Sequence, residues 1–300
     1  MNYLKDYREG EKFVGTYLCK QKQILKTKAG KTYYSLTLQD KTGTADGKIW
    51  ELNNGIANFE PMDYIHCEGM VTSFQGNLQM NISRVRISDE GEYDPADYVP
   101  CTNKDVGEMF SRILKYVASV QNKYLRKILE MYFVENKEFV DAFKKHSAAK
   151  SVHHGFMGGL LEHTLSVTDM CQYFAEHYPM IHRDLLITAA LFHDMGKIQE
   201  ISDFPMNDYT DDGQLLGHIY IGARCMENAA AQIPNFPPKL KNELVHCILA
   251  HHGKMEFGSP KVPAIMEAMA LHMADNADAK LQTLTEVFTQ AGDNMGWLGF

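Results

Sequence analysis

The sequence predicts two dissimilar parts of different class, a five-stranded β-barrel followed by an all-α helical bundle. Three observations carry this expectation. Before residue 90 the chain shows short β-type runs with glycine turns, and after residue 104 its apolar residues recur three and four apart. Charge changes at the same place, with 12 Lys+Arg against 11 Asp+Glu in residues 1–90 and 18 against 27 in residues 91–300. Histidine is divided still more sharply, since of 13 only His66 lies outside residues 146–272. The expected boundaries are 1–90 for the barrel, 91–104 for a linker, 105–290 for the bundle and 291–300 for a tail.

Composition narrows the function classes. At 300 residues, 45% apolar and 23% charged, the chain has an ordinary globular make-up, which excludes collagen-like and low-complexity proteins. A net charge of −8 excludes a protein coated all over with basic charge. The longest apolar stretch, Leu185 to Phe192, falls far short of the roughly 20 residues a bilayer span needs. The start, MNYLKDYREGEKF, has no apolar run of secretory type. A cytoplasmic protein without a membrane partner is expected, and six scattered cysteines without a CxxC pair fit reduced thiols.

In the first part, residues 11–20, 32–40, 44–50, 64–74 and 78–87 read as strands, the last two joined by a tight turn around Gln75-Gly76-Asn77. Residues 51–59, ELNNGIANF, read as a short helix between the third and fourth strands. Five strands with this insertion have the layout of an OB-fold, a small barrel often used for single strands. Residues 20–31, KQKQILKTKAGK, read as the loop between the first two strands with their edges. That stretch holds Lys20, Lys22, Lys26, Lys28 and Lys31 and no acid. With Tyr33, Tyr34, Trp50 or Phe74 alongside, phosphates would meet ammonium groups and bases would stack on rings. A solvated hairpin beside core aromatics is the plainer alternative. Residues 91–103, GEYDPADYVPCTN, carry two prolines and no periodicity and read as the linker.

In the second part, helices are expected within 106–146 and over 159–178, 184–197, 219–233, 237–253 and 262–288. Several ligand-type residues fall where these helices could bring them together: His163, the doublet His193-Asp194, His218, the doublet His251-His252, and Asp275. Imidazole nitrogens and carboxylate oxygens suit hydrolytic divalent cations, and one carboxylate such as Asp194 can bridge two ions. Lys197, three residues after Asp194, should project near the same face and hold a substrate phosphate. His153 and His154 precede the Gly-rich turn at 158–160; they either contact phosphate or simply cap the fold. Asp278 and His272 lie one helical turn from Asp275 and suit support of the ligands rather than ligation.

His163, His193-Asp194 and Asp275 resemble the H…HD…D signature of the HD-domain metal-dependent phosphohydrolases, and HDMGK (193–197) matches its central motif. LLEHTLSV (160–167), ILAHHG (248–253) and LHMADNADA (271–279) look like the same superfamily, so the resemblance spans residues 150–285. It implies one ion on His163, His193, Asp194 and Asp275; either His218 and one or both of His251 and His252 supply a second, or His251 and His252 border the pocket or bond substrate phosphate and a single ion does the chemistry. Together with the preceding barrel and HHGFMGGLLEHT (153–164), nearly the whole chain resembles the YhaM family of bacterial 3′→5′ exoribonucleases. That likeness implies catalysis by His193, Asp194 and Lys197. It also implies Mn²⁺ as the usual cofactor, with Mg²⁺, Fe²⁺ or Co²⁺ as alternatives, and single-stranded RNA as substrate, with single-stranded DNA also open. Two rival readings remain at this stage. One is a phosphohydrolase of nucleotides or cyclic dinucleotides with a regulatory OB-fold, the other a single-strand-binding factor without catalysis. The apolar tail leaves a homo-oligomer open.

Overall fold

The computed structural model describes residues 2–150 and 154–291. The chain divides into two compact units, Met1–Pro100 and Cys101–Phe300, and each is built around its own apolar cluster. Among the described residues no cysteine is in a disulfide. Among the described residues, no helix is long and apolar enough to cross a membrane.

The first unit is a closed five-stranded barrel. Its strands are β1 (Lys12–Lys26), β2 (Thr32–Asp40), β3 (Gly43–Ile49), β4 (Tyr64–Phe74) and β5 (Asn77–Ile87), in the order β1-β2-β3-β5-β4. Strand β1 serves twice, pairing with β4 over Lys12–Leu18 and with β2 over Leu18–Lys26. A register shift between Cys19 and Gln21 lets it turn from one neighbour to the next, as bulges do at barrel corners. Closure leaves no open edge. Alternation then sends Leu36, Leu38, Ile49, Met80 and Ile82 inward, where Phe59 joins them in the core.

Three expectations for this unit are corrected. Residues 51–59 form a turn and one isolated bridge, Ile56 to Val85, instead of a helix. The Asn53 carboxamide accepts the Gly55 N–H at 2.8 Å, and such a local bond competes with helix formation. The lysine-rich segment is mostly strand, because β1 continues through Lys26. The segment read as a linker packs onto the barrel through residues 91–100. Tyr93 stacks on Tyr64 with centroids 4.0 Å apart, Tyr98 is buried, and the division falls after Pro100.

The second unit is all-α: α1 (Val106–Ser119), α2 (Lys123–Glu130), α3 (Lys137–Lys145), α4 (Gly159–His177), α5 (Arg183–Phe192), α6 (Lys197–Glu200), α7 (Asp211–Ala231), α8 (Pro238–Ala250) and α9 (Met266–Ala291). A five-residue π-turn, Met131–Glu135, joins α2 to α3. Side chains cap several N-termini: Asp105 accepts from Glu108 N–H, Asn122 from Tyr124 and Leu125, Asn136 from Phe139, and Thr210 from Gly213. Two helices depart from the expected spans in ways that shape the site. Helix α5 stops at Phe192, so His193, Asp194, Met195 and Gly196 make a turn before α6. Helix α7 starts eight residues early and kinks at Gly217, whose φ of 71° and ψ of 152° lie outside helical space. The kink sets His218 at the head of the straight portion.

Candidate metal centre

Helices α4, α5, α7, α8 and α9 deliver the ligand-type side chains to one buried point. His163 comes from the middle of α4, and Asp275 from α9. His193 and His251 each follow directly on a helix end, those of α5 and α8. Both use the same local device: Nδ1 donates to the carbonyl three residues back, Ala190 at 2.8 Å and Ile248 at 2.6 Å. Each ring thereby satisfies a carbonyl that a helix end leaves free, and its Nε2 is turned outward with its lone pair. The negative ends of two helix dipoles consequently face the point where the rings meet. Gly196 allows the remaining approach, since a Cβ there would lie 2.1 Å from the His218 carbonyl oxygen and 2.9 Å from Gly222 N.

Asp194 stands at the centre, 2% exposed. Its Oδ2 lies 3.2 Å from His163 Nε2 and 3.4 Å from His193 Nε2. Asp275 Oδ1 completes that side, 3.2 Å from His163 Nε2 and 3.8 Å from His193 Nε2. On the other side, Asp194 Oδ1 lies 3.5 Å from His218 Nε2 and 3.6 Å from His251 Nε2. Lys197 Nζ donates to Oδ2 at 2.6 Å. His252 sits beside His251 and His218, its Nδ1 donating to the Phe257 carbonyl at 2.8 Å.

A divalent ion fits these residues on two grounds. Asp194 Oδ1, His218 Nε2 and His251 Nε2 are buried with no hydrogen-bond partner among the described residues. All three are acceptors, because each histidine has committed its ring N–H on Nδ1, to Glu200 (2.9 Å) and to Ile248 respectively. Three acceptors facing one another in the interior suit a bound cation. Spacing agrees: ligand bonds of about 2.1 Å put neighbouring donor atoms about 3.0–3.4 Å apart, close to the distances on both sides of Asp194.

Electrostatics follow from the same crowding. Burial opposes charge on Asp194, but Lys197, His193 and His163 outweigh it and hold the carboxyl well below the usual range. Burial likewise opposes a proton on His163, and the carboxylates of Asp194, Asp275 and Asp278 override it, raising His163 well above its ordinary value. For His251 and His252 burial prevails, and His252 is pushed down to about 4. His251 and His252 are thus neutral at neutral pH, as ligation requires.

Residues 160–280 match the HD domain family. The 3′-5′ exoribonuclease YhaM of Bacillus subtilis (strain 168) is 32% identical over 262 residues, 85% of this chain and 81% of its own length. YhaM of Geobacillus sp. (strain WCH70) is 32% identical over 257 residues, 85% of this chain and 78% of its own. YhaM of Listeria innocua serovar 6a is 32% identical over 293 residues, 95% and 90%. The chain belongs to the YhaM family.

In this YhaM-family chain the candidate ligands have outer partners of their own. Asp278 Oδ2 accepts from His163 Nδ1 at 2.7 Å and from His154 Nε2 at 3.0 Å, and the Ser166 hydroxyl donates to its Oδ1. His154, expected near phosphate, is 2% exposed and does not line the cavity, so it braces His163 through Asp278 instead. His153 lies outside the described residues. Glu200, which the sequence did not single out, accepts from both Nδ1 and the backbone N–H of His218 at 2.9 Å. Glu200 ends the three residues that follow HDMGK, one turn after Lys197, and that spacing was the available signal. A cavity of about 500 Å³ opens onto His163, Lys197, His218, His252 and Asp275.

The barrel's candidate contacts are divided. Lys22 is not free: its Nζ lies 4.8 and 4.5 Å over the Tyr34 and Phe59 rings and donates to the Phe59 carbonyl at 2.5 Å. Tyr34 packs on the barrel core beneath it. Lys31 pairs with Glu51 at 3.2 Å. Lys20, Lys26 and Lys28 are exposed, and Tyr33 stacks on the half-exposed Trp50 with centroids 4.6 Å apart. Phe74 stands 62% exposed at the β4–β5 turn.

Proposed function

We propose that the chain is a metal-dependent 3′→5′ exoribonuclease that shortens single-stranded RNA to nucleoside 5′-monophosphates. The observation that carries the reading is the shared carboxylate of Asp194, one oxygen turned to His163 and His193, which Asp275 also meets, and the other to His218 and His251. Divalent ions bound there, with manganese the first to try, would activate water and neutralise charge on the scissile phosphate. The residues do the rest. Asp194 keeps its negative charge in the interior because Lys197 lies 2.6 Å away. Lys197 lines the cavity and meets the phosphate oxygens as their charge grows. His193 and His251 hold fixed ring orientations through their helix ends, so little reorganisation accompanies reaction. In the barrel, Lys20, Lys26 and Lys28 with the Tyr33–Trp50 pair are the binding surface proposed for the strand.

Replacing His193 and Asp194 together by alanine tests the assignment. End-labelled single-stranded RNA should no longer give a ladder, while its binding persists. Cleavage by that variant after chelation would reject the metal centre.

A further inference from the structure

The cavity carries two aromatic rings that the chemistry above does not use. Tyr209 and Phe257 both line it, and they remain 46% and 55% exposed. Both are anchored to residues that orient imidazoles. Tyr209 bridges Ile201, next to Glu200, whose carboxylate accepts from His218. Phe257 gives its carbonyl to His252 Nδ1. Each ring has an ammonium group over it, Lys150 Nζ at 5.8 Å from the Tyr209 centroid and Lys254 Nζ at 5.3 Å from that of Phe257, each also paired with a surface carboxylate, Asp208 at 2.6 Å and Glu256 at 3.2 Å. Flat apolar faces beside cations, at the mouth of a phosphate-chemistry cavity, match the two halves of a nucleotide. At about 500 Å³ the cavity belongs to the size class of a small ligand, one nucleotide rather than a base pair.

We propose that Tyr209 and Phe257 stack the base of the 3′-terminal nucleotide, so that this site takes an end bearing one unpaired base. The inference rests on the nuclease reading above. Stacking is tolerant of sequence, since every base has a π face, and it excludes a terminal base held in a duplex.

Two RNAs identical except for an abasic 3′-terminal nucleotide test it. Stacking at this level makes kcat/KM about 5- to 100-fold higher for the complete RNA. Tyr209→Ala with Phe257→Ala should bring that ratio close to one, and Tyr209→Phe alone should keep it. Phe257→Leu, which keeps apolar volume without a flat face, should lower it part-way. A second readout needs no catalysis: 2-aminopurine at the 3′ terminus, bound by chelator-treated protein, should be quenched, and the double variant should lose the quench. An unchanged ratio and a retained quench in the double variant would overturn the inference while leaving the nuclease reading intact. Quenching lost with the rings, in a protein that shortens no RNA when given divalent ions, would instead overturn the nuclease reading and leave the stacking in place.

Discussion

Asp278→Asn keeps the shape of a side chain that supports the metal centre and removes its charge. Its Oδ2 accepts from two rings, His163 Nδ1 at 2.7 Å and His154 Nε2 at 3.0 Å. A carboxamide oxygen can receive both, and its NH₂ group then faces the Ser166 hydroxyl, which turns to accept. Geometry is retained, but charge-assisted bonds become neutral ones of roughly half the strength. His163 also loses an anion that raises its basicity. Outer partners of this kind are worth about 10- to 100-fold in metal affinity, or about 1.4–2.8 kcal/mol. Because Asp278 bonds to His163 and to neither His218 nor His251, the loss belongs to the Oδ2 side of Asp194. Calorimetric titration of stripped protein, with ions counted by mass spectrometry, should show one affinity weakened by that factor and the other unmoved. Equal weakening of both, or of neither, would refute the argument that Asp278 acts through His163.

Four further outcomes are expected. His163 is held above its ordinary value without metal, so binding must expel its proton: affinity should rise with pH through neutrality, and calorimetry in buffers of different ionisation enthalpy should detect the release. The same raised value stabilises the stripped fold fully below about pH 6.5, and that share is lost as pH climbs through the folded-state value, so its melting temperature should fall on the alkaline side. Lys197→Met removes the ammonium from Asp194 and should lower kcat about 100-fold on RNA with less change in KM; an unaltered kcat would leave Lys197 a structural role only. Gly196→Ala places a Cβ 2.1 Å from the His218 carbonyl oxygen, so α6 and α7 must part. It should cost about 1–3 kcal/mol or more, visible as a lower melting temperature together with a lost ion.

How far the sequence could be read follows from how local each cause is. The strands were legible because Leu36, Leu38 and Ile49 alternate with polar neighbours, and that pattern needs nothing distant. Residues 51–59 misled because Leu52, Ile56 and Phe59 fall four and three apart, a helical spacing, while Asn53 and Gly55 impose a turn. The lysine-rich run looked uniformly free because the partners of Lys22 and Lys31, the Phe59 carbonyl and Glu51, lie 37 and 20 residues away. In the helical unit, the doublets at 193–194 and 251–252 announced ligand chemistry. What stayed hidden was the bracing: His154 reaches Asp278 across 124 residues, and no spacing rule spans that gap. The linker was misjudged for a similar reason, since Tyr93 and Tyr98 find Tyr64 only once the barrel has closed.

The imidazoles at 193 and 251 double as stoppers for α5 and α8, each returning a proton to the last turn of its own helix. A descendant that abandoned the reaction would still profit from keeping them, because their removal would fray two buried helices. Their persistence in a decayed relative would therefore say little about whether it still turns over substrate. Asp194 stops no helix, and its fate is the sharper diagnostic of a living enzyme.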